Sequence, residues 1–470
     1  MPSPIVNIAQ MREWEKATWV AGQSETEVIR RVGRIVADLA LRLTRSKDRV
    51  LILAGKGHNG QDALCAREHL SERQIEVLEV GDPDTDLCRL EAFLSLRPAL
   101  VIDGLFGIGI NRPLSASWIR FIERVNQAQT QVLAVDIPSG LNAGTGKPEG
   151  VAIQATVTLT VGAPKTGLLQ ESAWPFVGRL ELASDVGLVP CPLRSEMQWT
   201  LAGDFTGYPP RRQVATHKGT YGHLAIIAGS TGYHGAAVLA ARGAQRSQPG
   251  LVTLFTLETV YAIVASHLQA VMVSPLRLAE DISSWGAGPW SAVLVGPGLA
   301  AVEVPERLKN LVRALWRTTP VPMVVDASAL DWLPHEPVRT DAVRVITPHP
   351  GEAARLLSLT AKRVQAARVD ALRSISKRFG DIWVVLKGHQ TLIGRSVGEV
   401  FVNSSGNPHL AQGGAGDVLS GYLAGLLAQP ALREDTSLAI RYAVWRHGTT
   451  ADRLQESRPG WVVEDVVDAI

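Results

Sequence analysis

The sequence predicts a doubly wound α/β protein built as two unlike domains, and three observations carry that expectation. First, short and almost wholly apolar runs recur: RVLILAG (49–55), ALVIDGLFG (99–107), VLAVDIPSG (132–140), HLAIIAGS (223–230), AVLVGPG (292–298), MVVDAS (323–328) and VVLKG (384–388). Such runs suit strands buried on both faces of a parallel sheet. Second, helical spacing lies between them. Ala63, Ala66 and Leu70 follow the first run, and Val418, Leu419, Tyr422, Leu423, Leu426 and Leu427 pair up every four residues, which predicts an amphipathic helix. Third, the runs end in Gly and Asp, and ligands of α/β sheets gather beyond the carboxyl ends of the strands.

A chain of 470 residues is long enough for more than one domain. The boundary is expected between Leu188 and His217, where GLVPCPLR is broken by prolines and GYPPRRQVATHKG has few features of a buried strand. The predicted domains are therefore 1–199 and 200–470. Lys and Arg total 47 against 45 Asp and Glu, a net charge of +2 that gives no electrostatic case for a nucleic acid or a membrane surface as partner. Apolar residues make up 46% and charged residues 20%, which excludes disorder across the whole chain. Three cysteines, Cys65, Cys88 and Cys191, exclude a disulfide framework and a dense zinc cluster. The uncharged stretch from Ile282 to Val302 is interrupted by Gly286, Gly288, Pro289, Gly296, Pro297 and Gly298, so it reads as turns and a strand, not a membrane span. The opening MPSPIVNIAQMREWEK has no basic region followed by an apolar stretch, so a cytoplasmic protein without a secretory signal is expected.

In the first domain the strand RVLILAG runs into GKGHNGQD (55–62) and then a helix. Glycines at such a turn let backbone N–H groups approach a phosphate. The spacing is not that of a dehydrogenase fingerprint, which needs GxGxxG and an acid about twenty residues on. Later strand ends carry Asp103 and Arg112 in IDGLFGIGINRP, and Asp136 and Ser139 in VDIPSGLNAGTG. Carboxylates at buried strand tips are costly to desolvate. Asn59, Asp103 and Ser139 together offer oxygen ligands to a hard cation. Helix capping accounts for any one of them and less well for all three. A further strand within ATVTLTVGAPKTGLL (155–169) is expected to end in Lys165, either a solvated loop charge or an active-site group. Asp136 and Lys165, at neighbouring strand ends, offer one proton acceptor and one donor.

Taken together, AGKGHNGQDALCAR, IDGLFGIGINRP, AVDIPSGLNAGTG and TVTLTVGAPKTGL resemble the NAD(P)H-hydrate epimerase domain of the bifunctional NAD(P)H-hydrate repair family. The resemblance implies a Rossmann-like three-layer sandwich with potassium held by Asn59, Asp103 and Ser139. It implies contacts to the hydrated dinucleotide from His58, Asn59, Gly60, Gln61 and Asp62, from Gly107, Ile108, Gly109, Ile110, Asn111, Arg112 and Pro113, and from Asp136. This chain reads His58-Asn59-Gly60-Gln61-Asp62-Ala63 where the family usually has Asn-Asn-Gly-Gly-Asp-Gly, so a bulkier loop is expected.

In the second domain, residues 217–254 read as a strand, a Gly/Ser/Tyr loop and a helix whose Ala236, Ala237, Ala240 and Ala241 allow close packing on a sheet or a ligand. Gly296 and Gly298 fall at another strand end. His349 and Glu352, in ITPHPGEAARLL, fall in a turn before a helix, where a lone His more often caps. The sharpest signal is AQGGAGDVLSGYLAGLL (411–427), in which Gly413, Gly414 and Gly416 precede Asp417 at the opening of a helix. Consecutive N–H groups of a glycine turn at a helix N-terminus make an anion hole. An aspartate beside that hole can take the proton of a hydroxyl attacking a phosphoryl group. A cap needs one Asp, not three glycines before it. VVLKGHQTLI (384–393) has strand–loop–strand character suited to lining a nucleotide.

GGAGD before a helix is the mark of the ribokinase-like superfamily. With HKGTYGH, GSTGYHGAA, VGPGL, TPHPGEAARLL and VVLKGHQT it resembles, more narrowly, the ADP/ATP-dependent NAD(P)H-hydrate dehydratase domain over residues 200–470. The resemblance implies that Lys387, Gly388, His389, Gln390, Thr391 and Gly416 bind the adenine nucleotide, with Gly414 and Ala415 completing the anion hole. It implies that Ala236, Gly298, His349 and Asp417 bind the hydrated dinucleotide and that Asp417 is the base. Gln412 and Ala415 stand where the family often has threonines, and Ala415 keeps its N–H. The expected activities are epimerisation of R and S NAD(P)H hydrates by residues 1–199 and ADP-dependent dehydration of the S form by residues 200–470. The expected ligands are K⁺, ADP or ATP with Mg²⁺, and the small-molecule hydrates of NADH and NADPH, with a homo-oligomer as the assembly. The alternative is a sugar or hydroxymethylpyrimidine-type kinase fused to a non-catalytic dinucleotide-binding domain. It retains Asp417 but leaves the Asn59, Asp103 and Ser139 constellation unexplained.

Overall fold

The computed structural model describes residues 2–276, 288–302 and 304–470. Residues 282–287 of the uncharged stretch lie outside them; within its remainder a strand covers Ala292–Val295. No helix among the described residues is long and apolar enough to cross a membrane. The chain divides into two compact units, Ser3–Trp199 and Met1–Pro2 with Thr200–Ile470.

In the first unit six strands, β1 (Arg49–Ala54), β2 (Gln74–Glu79), β3 (Leu100–Gly104), β4 (Gln131–Val135), β5 (Val157–Val161) and β6 (Arg179–Ala183), form one parallel sheet in the order β2-β1-β3-β4-β5-β6. The central strands β1, β3 and β4 are apolar along most of their length because both faces are covered, with polar residues confined to Arg49 and Gln131 at their starts and Asp103 near the end of β3. Val50, Ile52, Ile102 and Leu133 meet Val32, Val36 and Ala40 of the helix Glu25–Leu43 on one face. Leu51, Leu53 and Val101 meet Leu90, Phe121 and Ile122 of the helices Pro83–Ser95 and Ala116–Gln127 on the other. This is a three-layer sandwich. The strand order reverses between β1 and β3, which opens a crevice at their carboxyl ends. Strand β5 stops at Val161, four residues before Lys165, because the chain turns at Gly162 with φ +72°.

The second unit adds β7 (His223–Ile227), β8 (Leu251–Thr256), β9 (Met272–Pro275), β10 (Ala292–Val295), β11 (Met323–Val325), β12 (Arg344–Ile346), β13 (Trp383–Leu386), β14 (Leu392–Gly394) and β15 (Val400–Val402). They lie in the order β15-β14-β13-β12-β11-β10-β7-β8-β9, parallel from β13 to β9 and antiparallel at β13-β14-β15. The order reverses between β10 and β7.

One expectation needs correction here. The helix Ala415–Leu427 is not amphipathic: every residue from Val418 to Leu427 is buried. It runs through the interior, so the paired leucines mark only its most apolar rows. The alanine-rich helix His234–Arg246 makes its close approach to this helix. A Cβ on Gly421 would lie 1.9 Å from the Ala240 carbonyl oxygen, and one on Gly243 2.5 Å from that of Val418.

Candidate functional site

Each unit presents a candidate site at the carboxyl ends of its strands. In the first, a cleft of about 620 Å³ is lined by the segments after β1 (Gly55–Asn59) and β3 (Leu105–Gly109), by Asp62 and Asp136, and by Arg12 and Glu15 of the helix Ile8–Val20. The turn after β1 is tight. A Cβ at Gly60 would meet the Gly55 carbonyl oxygen at 2.0 Å, so the helix His58–Ala66 starts almost on top of the strand end.

Asn59, Asp103 and Ser139 come together and are buried. Ser139 Oγ donates to Asp103 Oδ1 at 2.6 Å, and the Ser139 N–H donates to Asp103 Oδ2 at 2.8 Å. Asn59 Nδ2 donates to the Phe106 carbonyl at 2.8 Å, and the Phe106 N–H donates to Ser139 Oγ at 2.9 Å. Asp103 is fully buried, and desolvation outweighs the Ser139 and Leu105 hydrogen bonds to push its pKa up to about 6. Among the described residues its hydrogen-bond partners are the Leu105 N–H, the Ser139 N–H and the Ser139 hydroxyl, all neutral, so no ammonium or guanidinium hydrogen-bonds to this buried carboxylate. One acid with a hydroxyl, an amide and a carbonyl is an oxygen donor set of low charge, which fits a monovalent hard cation better than a divalent one. Phe106, whose carbonyl joins the group, was not legible in the sequence, since a backbone oxygen leaves no residue-type signal.

Lys165 is buried, not a solvated loop charge: its side chain is 1% exposed. Its ammonium donates to Asp136 Oδ1 at 2.5 Å, to the Val161 carbonyl at 2.7 Å and to Thr160 Oγ1 at 3.1 Å. Asp136 sits at φ +64°, a left-handed conformation unusual for a non-glycine residue and typical of functional strain. Burial pushes the carboxyl groups of Asp62 and Glu15 above their ordinary values; the Asp136 carboxylate adds to this and Lys165 opposes it.

Of the residues expected at the dinucleotide, His58, Asn59, Asp62, Gly107, Ile108, Gly109 and Asp136 line the cleft. Gly60, Gln61, Ile110, Asn111, Arg112 and Pro113 do not. Gln61 is exposed, and His58 Nε2 reaches out to Glu25 Oε1 at 3.3 Å. Arg12 and Glu15 were missed because one Arg-x-x-Glu on an N-terminal helix looks like any surface pair.

In the second unit Asp326 follows β11, Glu352 opens the helix Pro350–Leu357 after β12, and Lys387 follows β13. Lys387 Nζ lies 2.7 Å from Asp326 Oδ1 and 3.9 Å from Glu352 Oε2. Burial works against the ammonium, but the two carboxylates outweigh it and hold its pKa above the usual lysine value. Gly416 lies directly over this group, since its Cβ would stand 3.3 Å from Lys387 Nζ. Asp417 is the third residue of its helix, not the cap. The cap is Gly414, at φ +93° and with no side chain to offer. Among the described residues the Gly416 and Asp417 N–H groups therefore find no acceptor, an open helix N-terminus. Burial, then the Asp326 carboxylate, push the Asp417 pKa up to about 7, against the pull of Lys387.

A cleft of about 380 Å³ beside this helix start is lined by Lys387, Gly388, His389, Gln390 and Thr391, by Ala415 and Gly416, and by Asn403, Ser405 and His447. The last three come from the segment after β15 and from the helix Thr436–Ser457, and no motif announces them. Ala236 and Gly298 adjoin at the reversal of strand order: a Cβ on Gly298 would meet that of Ala236 at 2.9 Å. There Ser230 Oγ donates to the Gly298 carbonyl at 2.6 Å. His349 caps its helix, Nδ1 accepting from the Gly351 N–H at 3.0 Å and the Glu352 N–H at 3.3 Å. Asp326 stood in plain sight at the end of MVVDAS; a carboxylate closing a buried strand was the signal for it.

Both units are similar to known proteins. A family model described as NAD(P)H-hydrate dehydratase matches residues 224–466. One described as YjeF-related protein N-terminus matches residues 25–89 and 79–167. The bifunctional NAD(P)H-hydrate repair enzyme of Coxiella burnetii is 31% identical over 95% of this chain and 94% of its own. That of Gloeobacter violaceus is 35% identical over 96% of this chain and 93% of its own. A ribokinase-like superfamily protein from Enterococcus faecalis superposes with a TM-score of 0.51 at 25% identity, over 59% of this chain and 95% of its own. The first unit is thus the Rossmann-like sandwich and the second the ribokinase-like α/β domain expected of such a fusion, and the chain belongs to the bifunctional NAD(P)H-hydrate repair enzymes.

Proposed function

We propose that residues 200–470 carry the dehydration with ADP as phosphoryl donor, and that residues 1–199 carry the epimerisation. The observation that carries this reading is the open start of the Asp417 helix beside a nucleotide-sized cleft, with Asp417 at a pKa of about 7. A base is most effective when its pKa lies near the working pH. In the proposed reaction Asp417 takes the proton of the substrate hydroxyl as that oxygen attacks the β-phosphorus of ADP. The Gly416 N–H, free at the helix start, holds the charge on the phosphoryl oxygens, joined by the Ala415 N–H once it leaves the Gln412 carbonyl. AMP leaves. The ring nitrogen's lone pair then expels phosphate from the adjacent carbon, and loss of a proton from the next carbon restores NAD(P)H. Lys387 to Thr391 hold the nucleotide; Ala236, Gly298 and His349 face the hydrated dinucleotide. Mg²⁺ neutralises the donor's phosphates when bound.

In the first domain Asn59, Asp103, Ser139 and the Phe106 carbonyl hold K⁺, which supplies the charge that the buried Asp103 lacks. The preference for ADP over ATP rests on the fused order of the domains. A cytoplasmic, homo-oligomeric protein completes the reading, because its substrates and donor are metabolites of the cytoplasm; cell fractionation and light scattering test these points. The central experiment supplies mixed epimers of NADPH hydrate with ADP, or with ATP, to the full chain and follows the absorbance of regenerated NADPH. Complete conversion with ADP is expected. Conversion that stops with the R epimer intact removes the epimerase; none with either donor removes the dehydratase.

A further inference from the structure

The Asp136–Lys165 pair is one proton-handling station in the first cleft, but inverting a carbon needs chemistry at both of its faces. We propose that Glu15, on the helix Ile8–Val20, is the second acid–base residue of the epimerase and donates the proton that releases the substrate hydroxyl. Glu15 precedes the segment matched by the family model, which begins at residue 25. It lines the same cleft as Asp136 and is half-buried, so it can meet a ligand and exchange protons with solvent.

The charges around it fix the division of labour. Glu15 faces Lys165, Asp136, His58 and Arg12, and Asp62 stands close enough to feel it. The Lys165 ammonium is already held by Asp136 at 2.5 Å, and His58 is drawn towards Glu25. Three carboxyl groups thus share a cleft beside a buried ammonium, Lys165, that is committed to Asp136. Burial pushes Glu15 up, which favours its protonated form. Asp62 is more deeply buried, at 9% exposure, in the middle of the helix His58–Ala66, further from solvent exchange.

The inference rests on the reading that this cleft takes the hydrated nicotinamide ring. The step balances as follows. The Glu15 proton passes to the hydroxyl oxygen, the C–O bond breaks and its electron pair leaves with water, and the ring nitrogen's lone pair forms the C=N bond. Water then adds to the opposite face of the same carbon and gives a proton to Asp136. Each turnover leaves the proton on the other carboxylate, and exchange with solvent resets it. In the reverse direction the roles exchange.

The test measures epimerisation of isolated R hydrate by the full chain, with products resolved by chromatography, across pH. Thermal melting and the circular dichroism spectrum of the full chain are the folding control, and dehydration of isolated S hydrate checks that the second unit is undisturbed. Glu15→Gln is expected to lower epimerisation by about 10²-fold or more and to abolish the fall in rate at high pH that marks a required acid. A Glu15→Gln rate within about threefold of wild type, with that limb intact, overturns the proposal. So does a basic limb that disappears in Asp62→Asn and survives in Glu15→Gln, which makes Asp62 the acid. Glu15→Asp retracts the carboxyl by one methylene. A rate between wild type and the Gln variant supports the proposal, and an unchanged rate overturns it, even if the Gln variant fails to fold. If wild-type protein itself leaves R hydrate untouched, it is the reading of the cleft that fails.

Discussion

Asp326 and Lys387 hold each other at 2.7 Å beneath the first turn of the helix that carries Asp417. The pair ties the ends of β11 and β13 together under the proposed phosphoryl site. It also sets the charge that Asp417 feels, since the Asp326 carboxylate raises the Asp417 pKa and Lys387 lowers it.

Asp326→Asn removes that repulsion and frees the ammonium for Asp417, and both changes favour ionised Asp417. The acidic limb of the pH profile for dehydration is expected to move to lower pH by about 1. Asp417→Asn leaves an amide that cannot accept the proton usefully, and dehydration should fall by about 10²–10⁴-fold. Epimerisation of the R form by the same variant is the control.

Asp417 also predicts a pH-dependent stability. Its pKa of about 7 in the folded protein lies above the ordinary 3.8. Well below pH 3.8 both folded and unfolded chains carry it protonated, so it costs nothing. Between pH 3.8 and about 7 the unfolded chain releases a proton that the folded chain keeps, so stability falls across that window and the loss is complete above it. Asp417→Asn should therefore be as stable as the wild type at pH 3 and more stable than it at pH 8, by about 4 kcal/mol. Urea denaturation without ligands at both pH values measures it.

Potassium should raise the melting temperature of the full chain relative to choline at equal ionic strength. The buried Asp103 carboxylate gains a counter-charge in one medium and not in the other. In Asp103→Asn the difference should vanish. A response that persists in the variant places the ion elsewhere.

Lys165→Met leaves Asp136 with no ammonium in a region where the lysine is 1% exposed. Breaking such a pair from one side costs about 3–5 kcal/mol. Epimerisation should be lost and the first thermal transition lowered, with dehydration of S hydrate retained below that transition.

Gly421→Ala inserts a methyl 1.9 Å from the Ala240 carbonyl oxygen, a backbone atom that cannot swing away. The two central helices must separate, at a cost of about 1–3 kcal/mol or more. Gly57→Ala, where a Cβ meets nothing within 4 Å, is the control in the same denaturation series.

The sequence by itself determined the two α/β units and the strand ends at which chemistry collects. Strands buried on both faces must be apolar throughout, and ligand-binding turns must carry Gly and Asp, so both leave signals local in the chain. RVLILAG, MVVDAS and GGAGD are legible for that reason. The tertiary structure decided what depends on which residues meet across the fold. Lys165 became buried only because Asp136, Thr160 and Val161 converge on its ammonium. Asp326 and Glu352 joined Lys387 because β11, β12 and β13 lie side by side. Glu15 reached the first cleft from a helix at the far end of that unit's sequence. The leucine rows of 418–427 looked like one face of a helix, yet the helix is enclosed on all sides, because periodicity records where apolar residues stand and not how many neighbours will cover them.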